Sequence, residues 1–570
     1  MNAATAAAPQ TRLHLVDLRM RSLDTARLRV LWVAMIFTAV ALAALVRIGF
    51  LGLGGGPARA TTLEEALLPP RGEITDRNGT PLARAFPAYA LWYDPKALGD
   101  EGPPLVGEPS EVAHRLAAIF PDMDVVATAD RLAVGRPGYL RRRVLPSQAK
   151  LIQKIGEPAL NLPREADRHY PQGSMAAHVL GYVAADGKGR VGMEAVLDEH
   201  LTQRATRGEP VALSIDARVQ GALEDELRRG MLSTNAMGAA GIVLDVDTGE
   251  VMALASLPEF DPNKIDADGV DKMFNRVTNQ VYELGSTFKP LTVAAAIDAG
   301  TVRDFGYRYD ASPVEVGRFR ITDSHYIGNS LNVAETLIHS SNTTTARIAD
   351  ELGPEKMRQA MIDLGMSERP YIELPARGHP IWPGKDWPRL RNMTVGYGHG
   401  IAVTPLHLAS AYAAMVNGGV WRPATLRKLE AGEVPKGRRV FKASTSSRMR
   451  QLLRMIAIYG TGRNADAPGF RVGGKTGSAE KPGRGGYRET SLVSTFAAAF
   501  PMDRPRYVII AMLDEPKGTT ASSYQRTAAW NAAPIVGRLV PRIGPLMGVR
   551  PDTTRDVDIS DLKPLIGGGD

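Results

Sequence analysis

After a polar, arginine-bearing start, the chain turns apolar and uncharged from 30 to 46, with Thr38 the single polar interruption. Continuing to 53 adds only Arg47, whose aliphatic stem can lie along apolar surface while its charged head reaches toward headgroups. The length predicts one membrane-spanning helix over 30–53. Arg12, Arg19, Arg21, Arg27 and Arg29 precede it, whereas only Arg47 and Arg59 follow closely. That bias places residues 1–29 in the cytoplasm and everything after Gly54 outside it. Ala58-Arg59-Ala60 has the small-x-small form of a processing site but lies far downstream of 46, so an uncleaved anchor is the expectation.

Past the anchor the pattern shortens. Residues 71–82 read as strand, broken by Asn78-Gly79, a strong hairpin signal. From there to about 230, short apolar runs alternate with Pro and Gly, without an internal repeat or a chemistry-bearing cluster. Residues 54–230 are therefore expected to form a partly β, non-catalytic pedestal or partner-binding domain. A second pattern opens at 239–245, turns at Asp247-Thr248-Gly249 and returns over 251–256 as an antiparallel pair. Long helix-compatible stretches follow, then strands at 494–500 and 507–513 and a helical run over 526–539. Strands at both ends of a region with helices between them predict an α+β domain over 231–545, with a central antiparallel sheet flanked by helices. Residues 546–570, rich in Asp and Gly, read as a flexible tail.

Composition narrows the chemistry. The 570 residues carry 69 Lys and Arg against 61 Asp and Glu, a net +8, but the bases are scattered and the longest arginine run is Arg141, Arg142 and Arg143, so no nucleic-acid partner is expected. With no cysteine, thiol nucleophiles, disulfides and Cys-ligated metals are excluded. Ten histidines include no H-E-x-x-H pair, and neither a metal nor a cofactor is expected.

A serine three residues before a lysine on one helical face sets a hydroxyl near an amine able to take its proton. The pattern occurs at Ser147/Lys150, Ser286/Lys289 and Ser478/Lys481, and Ser-x-Asn at Ser233/Asn235, Ser330/Asn332 and Ser340/Asn342. Lys475-Thr476-Gly477 occurs once. Only Ser286 opens a helix-like run, 287–299, and precedes the other two motifs in order within about 190 residues. Ser340-Ser341-Asn342 falls between helix-like stretches 333–338 and 343–352, and so can present side chains from a connection. Val472-Gly473-Gly474-Lys475-Thr476-Gly477-Ser478 reads as a short strand whose glycines permit close approach of another backbone.

In this order the three motifs resemble those of the penicillin-binding proteins. Arg71-Gly72-Glu73-Ile74-Thr75-Asp76-Arg77-Asn78-Gly79, Arg168-His169-Tyr170-Pro171, His178-Val179-Leu180-Gly181-Tyr182 and Gly192-Met193-Glu194 are similar to the non-catalytic module of the class B transpeptidases. The runs 282–289 (Tyr-Glu-Leu-Gly-Ser-Thr-Phe-Lys) and 398–406 (Gly-His-Gly-Ile-Ala-Val-Thr-Pro-Leu) look closest to the division-specific peptidoglycan D,D-transpeptidase. Leu284 stands where the family usually has proline, and Ala498 where it often has glycine.

The resemblance implies acyl transfer from a D-Ala-D-Ala stem peptide to an amine on a neighbouring stem, at the septum and on the outer side of a bacterial inner membrane. Ser286 would attack the carbonyl and Lys289 take its proton. A lysine titrating near ~10.4 when exposed must come down by about three pH units for this, roughly 4 kcal/mol. Lys475 is the candidate second cation, Ser340 would pass a proton to the departing nitrogen, and Asn342 would hold the substrate amide. Thr476, Gly477 and Ser478 would bind the substrate's terminal end, with Ser286 and Ser478 N–H groups as oxyanion donors. β-Lactams are expected to acylate Ser286, and a membrane glycosyltransferase and other division proteins are the expected partners. The alternatives are an elongation-specific class B transpeptidase, or a D,D-carboxypeptidase or β-lactamase-type hydrolase on the same fold. A class A β-lactamase carries an E-x-x-L-N segment for its deacylating base; none lies between Asn342 and Lys475, where the nearest acidic candidates, Glu368 and Glu373, have no matching Leu-Asn pair.

Overall fold

The computed structural model describes residues 28–38, 41, 70–99, 102–184, 186–265, 267–483 and 486–567. Contacts divide the chain into 1–68 and 69–570. In the first unit, residues 28–38 and 41 are helical and exposed. Most of the expected span over 30–53 lies outside the described residues, and among those described no helix is long and apolar enough to cross a membrane.

The second unit is built on a five-stranded sheet. Its strands are β1 (Gly238–Asp245), β2 (Val251–Leu257), β3 (Gly473–Gly483), β4 (Gly486–Phe500) and β5 (Tyr507–Asp514), in the spatial order β3-β4-β5-β1-β2 with antiparallel neighbours throughout. The period of two sorts each strand between two cores. Ala240, Ile242, Leu244, Ala497, Val508, Ile510 and Met512 face one cluster; Ala239, Val243, Phe496, Ala498, Ile509, Ala511 and Leu513 face the other. Both faces are covered, and the strands are buried on each side. Helices α1 (Ala217–Ser233) and α7 (Ala532–Ile543) cover the second face; α2 (Lys289–Asp298), α5 (Pro405–Val416) and α6 (Ala443–Tyr459) belong to the first, together with α3 (Val333–His339) and α4 (Asn342–Leu352) beyond them. The strands read from the sequence are present. The last helix begins six residues after 526, because 519–531 form a turn-rich loop with Asn531 as the N-cap that accepts from Ala532 N.

Helix α2 is apolar on nearly all sides and buried, as a helix enclosed by other helices and a sheet must be. α5 shares this character, with all twelve residues buried. They form the centre of the domain, and a charged group placed at the end of α2 is removed from water.

Toward the N-terminus, Ile74–Thr75 pairs with Pro81–Tyr93 around the Asn78-Gly79 turn, Gly79 adopting φ 87°. The Asp76 carboxylate accepts from Asn78 N at 2.8 Å, Thr80 N at 2.7 Å and Ala217 N at 3.1 Å, joining this hairpin to the start of α1. The family-like segments that the sequence separates by about a hundred residues meet at Glu194. This carboxylate is fully buried and accepts from Arg71 Nε at 2.9 Å, Arg168 Nε at 2.6 Å and Tyr170 OH at 3.3 Å. Arg71 also reaches Asp198 at 2.6 Å, so two buried guanidinium groups face two carboxylates.

One sequence expectation is corrected. Residues 546–570 read as a flexible tail, yet the described part, to 567, is docked. Arg454 pairs with Asp556 at 2.7 Å, Arg448 with Asp561, Leu562 is buried, and Asn332 Nδ2 donates to Leu565 O at 2.6 Å. Two of the aspartates that suggested a solvated tail, Asp556 and Asp561, are the partners of arginines on α6.

Removing one member of a buried ion cluster strands the others in a low-dielectric interior. Glu194→Gln is expected to cost about 3–5 kcal/mol of folding free energy, read as a lower urea midpoint of the purified chain. Asp198→Asn, at a partly exposed carboxylate, should cost clearly less.

Candidate active site

The three motifs converge at the junction of α2, α3 and β3. Gly285–Phe288 is a 3-10 turn leading into α2, so Ser286 stands one turn ahead of Lys289, the first residue of the buried helix. Gly285 has φ 54°, a conformation that costs a side-chain-bearing residue and not glycine. β3 is the edge strand of the sheet and lies against this turn. A Cβ at Gly477 would stand 2.5 Å from Leu284 O and 2.8 Å from Thr287 Cγ2, so glycine is what lets the strand approach the serine so closely. Gly398 closes the other side, since a Cβ there would fall 2.1 Å from Gly285 O. Gly285 N donates to Gly398 O at 3.3 Å and Gly400 N to Glu283 Oε1 at 3.0 Å, which explains why the runs 282–289 and 398–406 carry the family signature together.

Ser340 ends α3 in the left-handed region, φ 62° and ψ 41°. A non-glycine residue pays a strain of order 1–3 kcal/mol there. The conformation directs Ser340 Oγ between two lysines: Lys289 Nζ donates to it at 3.2 Å, and Lys475 Nζ at 2.8 Å. Lys289 Nζ also donates to Ser340 O, and Lys475 Nζ to Thr476 O at 3.0 Å and Thr476 Oγ1 at 3.2 Å. Both lysines are fully buried.

Burial disfavours both ammonium forms. The Lys289 amine is brought down to about 7, chiefly by desolvation, with the Asp323 carboxylate acting in the opposite direction. Lys475 is lowered well below the usual lysine range, first by desolvation and then by the positive charge of Lys289. The sequence reading looked to the second cation for the Lys289 shift. In the structure burial supplies it, and the lysine–lysine repulsion falls on Lys475 instead.

Asn342 is the first residue of α4, with Nδ2 donating to Thr322 O at 3.2 Å. Ser478 Oγ accepts from Ala528 N at 3.0 Å, leaving its O–H to be donated elsewhere. Thr476 Oγ1 lies 2.7 Å from Thr461 Oγ1. All eight sequence-derived residues thus belong to this one junction. Three of the competing copies do not: Ser147 lies on a short helix, Pro146–Gln153, in the N-terminal part, Ser233 ends α1, and Asn332 is the N-cap of α3 in a capping box with Glu335; the fourth, Ser478/Lys481, lies on β3, with Lys481 paired to Glu515 at 3.0 Å.

Two residues escaped sequence reasoning. Asp323 accepts from Ser341 Oγ at 2.8 Å, Thr343 Oγ1 at 2.8 Å, Thr343 N at 3.3 Å and Asn342 N, and so fixes the whole Ser340–Thr343 turn. Nothing in Thr322-Asp323-Ser324 signals this, because the contact spans about twenty residues. Thr461 sits between Gly460 and Gly462, a pattern indistinguishable in sequence from an ordinary turn.

Residues 239–536 match the model of the penicillin binding protein transpeptidase domain, and residues 66–209 that of the penicillin-binding protein dimerisation domain. A probable peptidoglycan D,D-transpeptidase FtsI of Caulobacter vibrioides is 38% identical over 513 residues, covering 88% of this chain and 84% of that protein. Peptidoglycan D,D-transpeptidase FtsI of Escherichia coli K12 is 30% identical over 524 residues, 88% and 87% of the two chains. The fold is shared with penicillin binding protein 3 of Mycobacterium tuberculosis in complex with aztreonam, at TM-score 0.66 and 24% identity over 86% of this chain and 99% of that one. With its motifs gathered in one buried site and its length spanned by these relatives, the chain belongs to the penicillin-binding proteins, as a class B member of the FtsI type.

Proposed function

We propose that the protein is a serine-type peptidoglycan D,D-transpeptidase that cross-links stem peptides through an acyl-enzyme on Ser286. The observation that carries the reading is Ser340 Oγ, held at 3.2 and 2.8 Å by two fully buried lysine amines beside the Ser286 turn.

Ser286 Oγ attacks the carbonyl of the D-Ala-D-Ala bond while Lys289, neutral in half of the molecules near pH 7, takes the hydroxyl proton. Ser340 Oγ, in contact with both amines, hands its proton to the departing D-alanine nitrogen and takes in exchange the one Lys289 received, so the C–N bond breaks as an ester to Ser286 forms and Lys289 is neutral again. Lys475, Thr476 and Ser478 receive the terminal carboxylate, and Asn342 the substrate amide. An amine of a neighbouring stem then attacks the ester, forms the new amide, and returns the proton to Ser286. A hydrolase would need a carboxylate free to activate water. Glu373 accepts from Leu426 N at 2.8 Å and from Thr425 Oγ1, and both Asp323 oxygens are occupied by the Ser341–Thr343 turn. The transferase reading is therefore preferred.

The FtsI names of the relatives support a role in division, and β-lactams are expected to acylate the same serine. Residues 231–545 carry the reaction, and residues 54–230 dock partners in cell-wall synthesis, among them a membrane glycosyltransferase. The arginine bias around 30–46 supports a single-pass anchor over 30–53 in the inner membrane, residues 1–29 in the cytoplasm and the catalytic domain in the periplasm.

Four outcomes are expected. Ser286→Ala abolishes covalent labelling by a fluorescent penicillin, while Ser147→Ala and Ser478→Ala keep some; full labelling of the Ser286 variant would overturn the assignment. Acylation of the unmodified protein rises with pH through about 7 and levels off above, because only neutral Lys289 accepts the proton. Asp323 holds that amine's pKa up, so Asp323→Asn moves the rise to lower pH, and loosening of the Ser340 turn lowers the plateau by roughly 10- to 100-fold. A reporter fused after Gly56 is active only outside the cytoplasm and stays in the membrane fraction; a soluble mature form starting near Thr61 would identify a cleaved leader.

A further inference from the structure

One end of the sheet is formed by the β4–β5 turn, which carries Arg504 and Arg506. Against it lie Arg550 and Arg555 from the segment after α7, and Arg471 from the approach to β3; together they line a cavity of about 550 Å³. Asp552 is the one acidic side chain among the residues that line it. This cavity is separate from the active site. Val549, in its wall, packs into the second core, whereas Phe288 and Leu291 of the serine turn and α2 pack into the first. Yet Arg471 stands four residues before Lys475, so their Cα atoms are at most about 14 Å apart.

The acids beside these arginines are already engaged. Buried Arg471 donates through Nε to Asp503 at 2.6 Å and through Nη1 to Asp552 O at 3.0 Å. Arg555 pairs with Asp552 at 3.1 Å and with Asp503 at 3.5 Å. Arg504, Arg506 and Arg550 are left with no side-chain hydrogen bond or ion pair among the described residues; Arg504 and Arg550 are exposed, and Arg506 lies over the Tyr507 ring at 5.5 Å. Asp247, on the β1–β2 turn, feels the charge of Arg506 and Arg504 but stands beyond ion-pair distance. Three unpaired guanidinium groups on one concave surface focus a positive potential into it. Each fork can bind a carboxylate or a phosphate through two parallel hydrogen bonds. Because the three come from two separate loops, they suit several carboxylates spaced along a chain better than one compact anion.

We propose that this arginine cavity is an exosite for a peptidoglycan strand, binding free carboxylates of stem peptides other than the donor at Ser286. The proposal rests on the transpeptidase reading, under which the polymer the enzyme works on carries a D-Ala carboxylate on each uncross-linked stem. A strand held there keeps further stems at high local concentration beside the acyl-enzyme.

The test sediments insoluble peptidoglycan sacculi with the full chain in detergent, after penicillin has closed Ser286. The chain is expected to pellet with the sacculi at low salt and less so as salt rises. Sacculi whose carboxylates have been amidated with carbodiimide and ammonia should bind about tenfold more weakly, and Arg504→Gln/Arg550→Gln should weaken binding to untreated sacculi by about the same factor. That double variant should label with fluorescent penicillin as the unmodified protein does. Lys150→Gln/Lys154→Gln removes the same charge from exposed positions in the N-terminal part and should leave sacculus binding intact. Equal loss in this control, binding that survives the arginine substitutions, or no binding at all overturns the proposal. Binding that survives amidation overturns it too, and if the arginine variant is then still weak, the cavity takes a phosphate or another anion instead. Labelling at Ser286 without sacculus binding loses only the exosite, whereas arginine-dependent binding by a protein that does not label at Ser286 removes the nucleophile assignment.

Discussion

Two lysine amines share one serine hydroxyl in the interior of this protein, and most of the surrounding structure serves to keep them there. Burial disfavours the ammonium form of each, and the positive charge of Lys289 bears on Lys475 besides. The system responds by releasing protons. That makes a lysine a base near neutral pH without any metal or histidine. The same dry environment would strand the amines unsolvated, so each is given acceptors: Ser340 O and Oγ for Lys289; Ser340 Oγ, Thr476 O and Thr476 Oγ1 for Lys475.

Such a site cannot be built on one element. Lys289 comes from the first turn of a helix apolar on nearly all sides, Lys475 from the edge strand, and Ser340 from a left-handed turn between two helices. Helix α2 buries its lysine because its neighbours cover every face, and the sheet can host Lys475 because both its faces are packed. Small residues then set the distances. Gly477 and Gly398 admit backbones where any Cβ would collide, so the serine turn is gripped between the strand and the 398–400 loop. Asp323 offsets the cost of the Ser340 conformation by accepting from the three residues that follow it. It also tempers the fall in the Lys289 pKa, so one carboxylate sets both geometry and proton affinity.

The residues proposed to carry the reaction were more legible in the sequence than their support. Ser286, Lys289, Ser340, Asn342 and Lys475 stand out because their chemistry demands fixed residue types at short fixed spacings. β1, β2, β4 and β5 were legible as apolar runs bounded by turns. Asp323 and Thr461 were not, because their importance arises from contacts made only after the chain has folded. The segment after 546 misled for a related reason: local composition counts aspartates as solvated, whereas Asp556 and Asp561 are complements to Arg454 and Arg448 about a hundred residues earlier. The motifs revealed Lys475 as a neighbouring charge but not the depth of burial that brings Lys289 down.

The choice between transfer and hydrolysis turns on the same economy of partners. An ester on Ser286 is attacked by water only if a base is positioned to take the water's proton. Among the described residues around the turn, each carboxylate discussed is already an acceptor in the framework: Asp323 in the Ser341–Thr343 turn, Glu373 at Leu426, Glu283 at Gly400. Freeing one of them to act as a base would loosen the turn that places Ser340 or the loop that grips Ser286. An incoming amine is the stronger nucleophile and can lose its proton to the lysine that acylation has already charged and discharged. The proposed preference for transfer therefore rests on the stronger nucleophilicity of the amine and on carboxylates already engaged in the framework.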